Sequence, residues 1–66
     1  MSVAKTIEIS AESPNSFEAA IREGIRHAGK TVKNIKSAWV EDQLVEVEDD
    51  KVVTFRVRMK VTFVLE

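Results

Sequence analysis

Residues 52–65, Val52-Val53-Thr54-Phe55-Arg56-Val57-Arg58-Met59-Lys60-Val61-Thr62-Phe63-Val64-Leu65, alternate between an apolar set and a mostly cationic or polar one. A two-residue period held over that length is the mark of a long strand with two unlike faces. The pattern predicts that Phe55, Val57, Met59, Val61, Phe63 and Leu65 look into a core. Arg56, Arg58, Lys60 and Thr62 then look away from it. In a chain of 66 residues the first face is fully occupied by folding, so function is expected on the second.

Working back from that strand, Glu48-Asp49-Asp50-Lys51 is an acidic turn, and Ile35 to Val47 precedes it as a second strand. In that strand Ala38 and Val40 are expected inward, and Ser37, Trp39 and Glu41 outward. The alternation falters near Asp42, which predicts a bulge there. Phe17, Ile21, Gly24, Ile25, Ala28 and Val32 recur at helical spacing, with Arg22, Glu23, Arg26 and Lys30 on the other side. The spacing predicts one amphipathic helix from Pro14 to Lys30, with Ser13 as its N-cap and Pro14 in the first position. Gly24 on the apolar stripe implies a close approach of helix to sheet, and Gly29 a helix stop. Val3 to Ser10 forms a first strand with Ile7 and Ile9 inward.

The order is strand, helix, strand, strand. With the last strand long enough to pair with both others, the expected fold is α+β: a βαββ unit whose three-stranded antiparallel sheet, in the order 1-3-2, curls around one helix. The whole chain, 1–66, is read as a single domain. At this size a core rarely supplies more than about 3 to 5 kcal/mol of net stability, and there is no cysteine and only one histidine to hold a disulfide or zinc. Self-association is the remaining reinforcement, so an oligomer is expected. Ten basic against 11 acidic residues do not fit a nucleic-acid binder that relies on phosphate neutralisation. No apolar run approaches a membrane span, and Met1 to Lys5 carries no signal-peptide core, so the expected compartment is the cytoplasm.

Ser13-x-x-Ser16-Phe17-x-Ala19-Ala20, Thr31-Val32-x-Asn34, Asp42-Gln43-x-Val45-Glu46 and Val57-x-Met59-Lys60-Val61-x-Phe63-x-Leu65 follow one another in the chain. In their order and gapless spacing they resemble the dodecins, small flavin-binding proteins of one βαββ domain that assemble twelve to a hollow shell. The resemblance implies a homododecamer that stores or sequesters flavin and has no enzymatic activity. It also implies a pair of stacked flavins sandwiched between tryptophans at a two-fold axis, with a glutamine of the last strand on the ring edge. The chain departs from this pattern twice. The tryptophan position falls on Ser37, whereas the only indole is Trp39, about 7 Å further along the same face. The glutamine position is Arg56.

Trp39 reads either as an aromatic clamp for a planar ring or as a residue packed between subunits. Arg56 donates hydrogen bonds but accepts none, which suits ring carbonyls or a phosphate. Its other reading is a salt bridge to Glu41, Glu46 or Glu48. Asp42 and Glu46 match acidic positions of the family, where ribityl or ion contacts are implied, and Gln43 joins Arg56 at ring edge or tail. The acidic residues Glu48, Asp49 and Asp50 match no calcium loop and read as a solvated turn, leaving metal ligands unassigned. His27 reads as a surface residue, and Ser13 and Ser16 as capping residues without a histidine partner. The leading expectation is therefore a cytoplasmic dodecamer binding riboflavin or FMN through Trp39, Arg56, Gln43, Asp42, Glu46 and Ser37, with coenzyme A as a second ligand. The alternative is a shell of the same kind without a working flavin site, binding coenzyme A or metal ions or serving as a scaffold.

Overall fold

The structure, a computed structural model, describes residues 3–65. Its elements follow the predicted order: β1 (Val3–Ser13), α1 (Phe17–Ala28), β2 (Ile35–Glu48) and β3 (Lys51–Leu65). β3 is the middle strand, antiparallel to β1 on one side and β2 on the other, so the sheet order is β1-β3-β2. The alternation of β3 does what its period predicts. Val57, Met59 and Val61 are fully buried, and Phe55 and Phe63 partly so. Leu65 departs from the expectation, half exposed at the strand end.

β1 runs three residues beyond the predicted Ser10, because Ala11, Glu12 and Ser13 continue in register with Val57, Arg56 and Phe55. That extension moves the helix start. Ser13 ends a strand instead of capping a helix, and its Oγ accepts from the Asn15 N–H at 3.0 Å. The true N-cap is Ser16, whose extended backbone lets Oγ accept from the Ala19 N–H at 2.9 Å, with Glu18 in the first turn. Pro14 lies in the connection. The helix ends at Ala28, short of Lys30, with Gly29 donating to Ile25 O at 2.9 Å in a right-handed conformation.

The helix packs on β1 and β3, where Ala20, Val57 and Met59 form the core with Ile9, Ala11, Phe17, Ile21, Ile25 and Val40 around them. Phe17 meets Phe55 edge to face, with ring centroids 5.2 Å apart. Gly24 permits this approach, since a Cβ there would stand 2.9 Å from Ala11 Cβ and 3.0 Å from Met59 Cε. Asp49 and Asp50 both have positive φ, 51° and 65°, the pattern of a two-residue type I′ hairpin turn. Twelve helical residues span about 18 Å whereas the fourteen of β2 span about 46 Å, so the hairpin outruns the helix. The molecule is accordingly long, 52 × 20 × 13 Å, and Leu44, Val47 and Val52 are left roughly half exposed near the hairpin end. Among the described residues no helix is long and apolar enough to cross a membrane.

Candidate functional site

The face of the sheet opposite the helix is built in rows, because directly paired residues of antiparallel strands point the same way. Thr6, Thr62 and Ser37 make one row, with the Thr6 and Thr62 hydroxyls 3.2 Å apart. Next come Glu8, Lys60 and Trp39, then Ser10, Arg58 and Asp42, then Glu12, Arg56 and Leu44. Glu46, opposite Thr54, closes the series. Trp39 stands 69% exposed.

The predicted bulge is present, and it decides which residues reach this face. The register of β2 against β3 shifts between Val40 and Asp42, leaving Glu41 as the extra residue. Past it the alternation changes phase, so Asp42, Leu44 and Glu46 join Arg56 on the open face. Gln43 falls opposite Val57 instead, on the helix side of the sheet, and does not share a face with Trp39 and Arg56.

Ion pairs tie the rows together. Arg56 Nη2 lies 3.3 Å from Glu12 Oε2 and 3.2 Å from Glu46 Oε2, which links all three strands. Of the partners expected for Arg56, Glu46 is the one observed; Glu12 lay beyond the predicted end of the first strand. Arg58 Nη2 donates to Asp42 Oδ2 at 2.6 Å, and Lys60 Nζ lies 3.4 Å from Glu41 Oε2. Glu41 itself is mostly covered, and its Oε1 is buried without a hydrogen bond, 4.0 Å from Arg58 Nε. Burial pushes the Glu41 carboxyl up, but a hydrogen bond shared with Glu8 and the Lys60 and Arg58 charges outweigh it. The net effect holds Glu41 below the usual carboxylate range.

A shallow depression of about 300 Å³ opens over Ser10, Asp42, Leu44, Arg56 and Arg58. It gathers Asp42 and Arg56 as the sequence suggests and adds Ser10 and Leu44, which sequence reasoning missed. Trp39 and Ser37 lie outside it. Trp39 faces Lys60, four β3 positions from Arg56, so the two residues are separate features of one chain, offset by about 13 Å of backbone along the strand. A larger groove of about 490 Å³ runs between β1 and the helix, bordered by Ile9, Ala11, Gly24, Glu12, Glu23 and His27. Its charged groups are already satisfied. Glu23 pairs with Arg26 at 2.5 Å and with His27 at 3.2 Å, and the Arg26 hydrogen bond is the main reason its carboxyl lies below the usual range. His27 is thus the surface residue expected, and the open face, with its exposed aromatic ring, is the stronger candidate.

A family model described as Dodecin matches residues 3–66. The calcium dodecin of Mycobacterium tuberculosis is 36% identical over 63 residues, covering 96% of this chain and 89% of that protein. The fold superimposes on a dodecin from Streptomyces davaonensis with a TM-score of 0.94 at 29% identity, over 98% of this chain and 96% of the other. It also matches a crystal structure of the M. tuberculosis calcium dodecin, described as a calcium-chelating antigen with a novel calcium-binding site. There the TM-score is 0.84 at 33% identity, over 97% of this chain and 91% of that one.

Proposed function

The chain belongs to the dodecin family, and from that membership we propose that it is a flavin-binding protein, not an enzyme, which holds riboflavin or FMN on the open sheet face of a homododecamer. The observation that carries this reading is the position of Trp39, an indole 69% exposed on the sheet face opposite its own helix. An aromatic ring so placed offers a stacking surface to a planar ligand, worth about 0.5 to 1.5 kcal/mol beyond area burial. Near a two-fold axis it would occur twice and could sandwich a ring or a ring pair.

Ser37 and Thr62 place hydroxyls in the row beside the indole, able to donate or accept at a ring edge. The Asp42, Arg56 and Glu46 cluster, brought up by another copy, supplies acceptors for ribityl hydroxyls and a donor for a ring carbonyl. Gln43, on the other side of the sheet, has no part in this arrangement. Stacked against indole, an excited flavin can be quenched by electron transfer, so storage would also limit its light-driven side reactions. Titrating riboflavin with protein should therefore extinguish most of its fluorescence. Emission that stays unchanged at saturating protein rejects flavin storage.

A second reading draws on the likeness to calcium dodecin: a shell that binds divalent cations. Carboxylates are the hard oxygen donors such ions take, and the open face is rich in them. Among the described residues no group of three potential ligands comes together within one chain, so an ion would have to be shared between copies. Calorimetric titration of flavin-free protein with calcium separates the two: heat with calcium and none with riboflavin favours the second.

A further inference from the structure

The three cations that β3 places in the rows between Thr62 and Thr54 are engaged within the chain. Arg56, its side chain only 34% exposed, is shared between Glu12 and Glu46; Arg58 is held by Asp42; Lys60 is held by Glu41. Across the rows from Glu8 to Glu12 and on to Glu46, five carboxylates (Glu8, Glu12, Glu41, Asp42, Glu46) face three cations (Arg56, Arg58, Lys60), a balance of two negative charges per copy. A second copy meeting the first across a symmetry axis doubles that excess. Around Trp39 the neighbouring groups are the hydroxyls of Ser37 and Thr62 on one side and the Lys60 to Glu41 pair on the other. Lys60, the cation of these rows that stands by the indole, is thus committed, and Lys36, the extra residue at the register shift beside Ser37, lies outside them.

A phosphate ester brings about −1.5 to −2 charges at neutral pH and wants cationic or N–H donors. A ribityl chain brings only hydroxyls, which carboxylates and serine or threonine side chains satisfy. Resting on the flavin reading above, we infer that this face selects an uncharged flavin with a free ribityl tail over a phosphorylated one. Arg56 is then a positioning residue. It holds Glu12 and Glu46 in place and neutralises them, and it is not the phosphate-binding cation its chemistry suggests in isolation.

The test compares riboflavin and FMN affinities of the assembled wild-type protein, by fluorescence titration, at low and at moderate ionic strength. Riboflavin should bind about two- to tenfold more tightly at low salt, with the ratio shrinking as salt screens the face. Glu12→Gln and Glu8→Gln, each first matched to the wild type in particle size, should raise the FMN affinity and leave that for riboflavin within about twofold. Two variants guard against one of them failing to assemble. FMN bound as tightly as riboflavin, or more tightly, at low salt overturns the selectivity and leaves flavin binding standing. If neither ligand is quenched, the flavin reading falls and this inference with it.

Discussion

Trp39 and Arg56 share one face of the sheet yet stand about 13 Å apart along it, because Trp39 is paired across from Lys60 and Arg56 lies four β3 residues away. The Arg56 guanidinium is, moreover, turned to Glu12 and Glu46 of its own chain. A site that uses both groups is thus expected to be completed by a second copy. Binding and assembly are therefore expected to be one linked equilibrium.

That linkage is measurable. Light scattering should report a particle of about 89 kDa, twelve times the 7.4 kDa chain, and flavin quenching should fade on dilution as the particle dissociates. A monomer at every concentration would remove the shell, and quenching that persists in a dissociated chain would remove the shared site.

Trp39→Ala should weaken riboflavin binding by about 1 to 3 kcal/mol, roughly five- to 150-fold, with Trp39→Phe intermediate. The particle size should not change. A variant that no longer assembles identifies Trp39 as a residue of the subunit contact.

Gly24→Ala is expected to destabilise. The alanine is worth about 1 kcal/mol as a helix former, but its methyl would press on Ala11 Cβ at 2.9 Å, which cannot move without the β1 backbone. Overpacking of this kind costs about 1 to 3 kcal/mol, so a net loss of about 1 kcal/mol should appear as a lower urea midpoint at matched protein concentration. An unchanged midpoint would mean that the helix lifts off β1 at no cost.

At the hairpin, Asp50 holds φ at 65°, a region that costs an aspartate less than most residues and glycine nothing. Asp50→Gly should raise stability by about 0.5 kcal/mol, and Asp50→Val should lower it by about 1 kcal/mol or more. The reverse order in denaturation midpoints would contradict the assigned turn.

Acid should destabilise the folded chain. Glu41 and Glu23 are both depressed below 4.5 in the folded chain, so below that value the unfolded state binds protons that the folded state does not. Their contribution is fully present above the unfolded value and is lost as pH falls through the folded one. Urea midpoints taken from neutral pH down to about pH 3 should decline over that window, and less steeply in Glu41→Gln. A midpoint that rises on acidification would reverse the assigned sign.

Much of the architecture is written in short-range pattern. The two-residue period of β3 sorts Val57, Met59 and Val61 from Arg56, Arg58 and Lys60, and the helical spacing of Phe17, Ile21 and Ile25 marks the face that meets them. The strand order, the close approach at Gly24 and the bulge are legible for the same reason: each follows from how neighbouring residues must alternate, or from a residue type that breaks the alternation.

What needed the tertiary structure is whatever depends on a partner far away in sequence. Ser13 and Ser16 are both competent caps, and only the continued pairing of β1 with β3, Ser13 against Phe55, assigns the cap to Ser16. The bulge is signalled near Asp42, but its phase, which sends Gln43 to the helix side and Asp42 and Glu46 to the open face, is set by register with β3. Arg56 shows the division most plainly. Sequence alone makes it a donor-only cation on an open face, where a phosphate would suit it. Folding brings Glu12 and Glu46 to it from the two edge strands, and those contacts, 44 and 10 positions away along the chain, make it part of the sheet's own electrostatics.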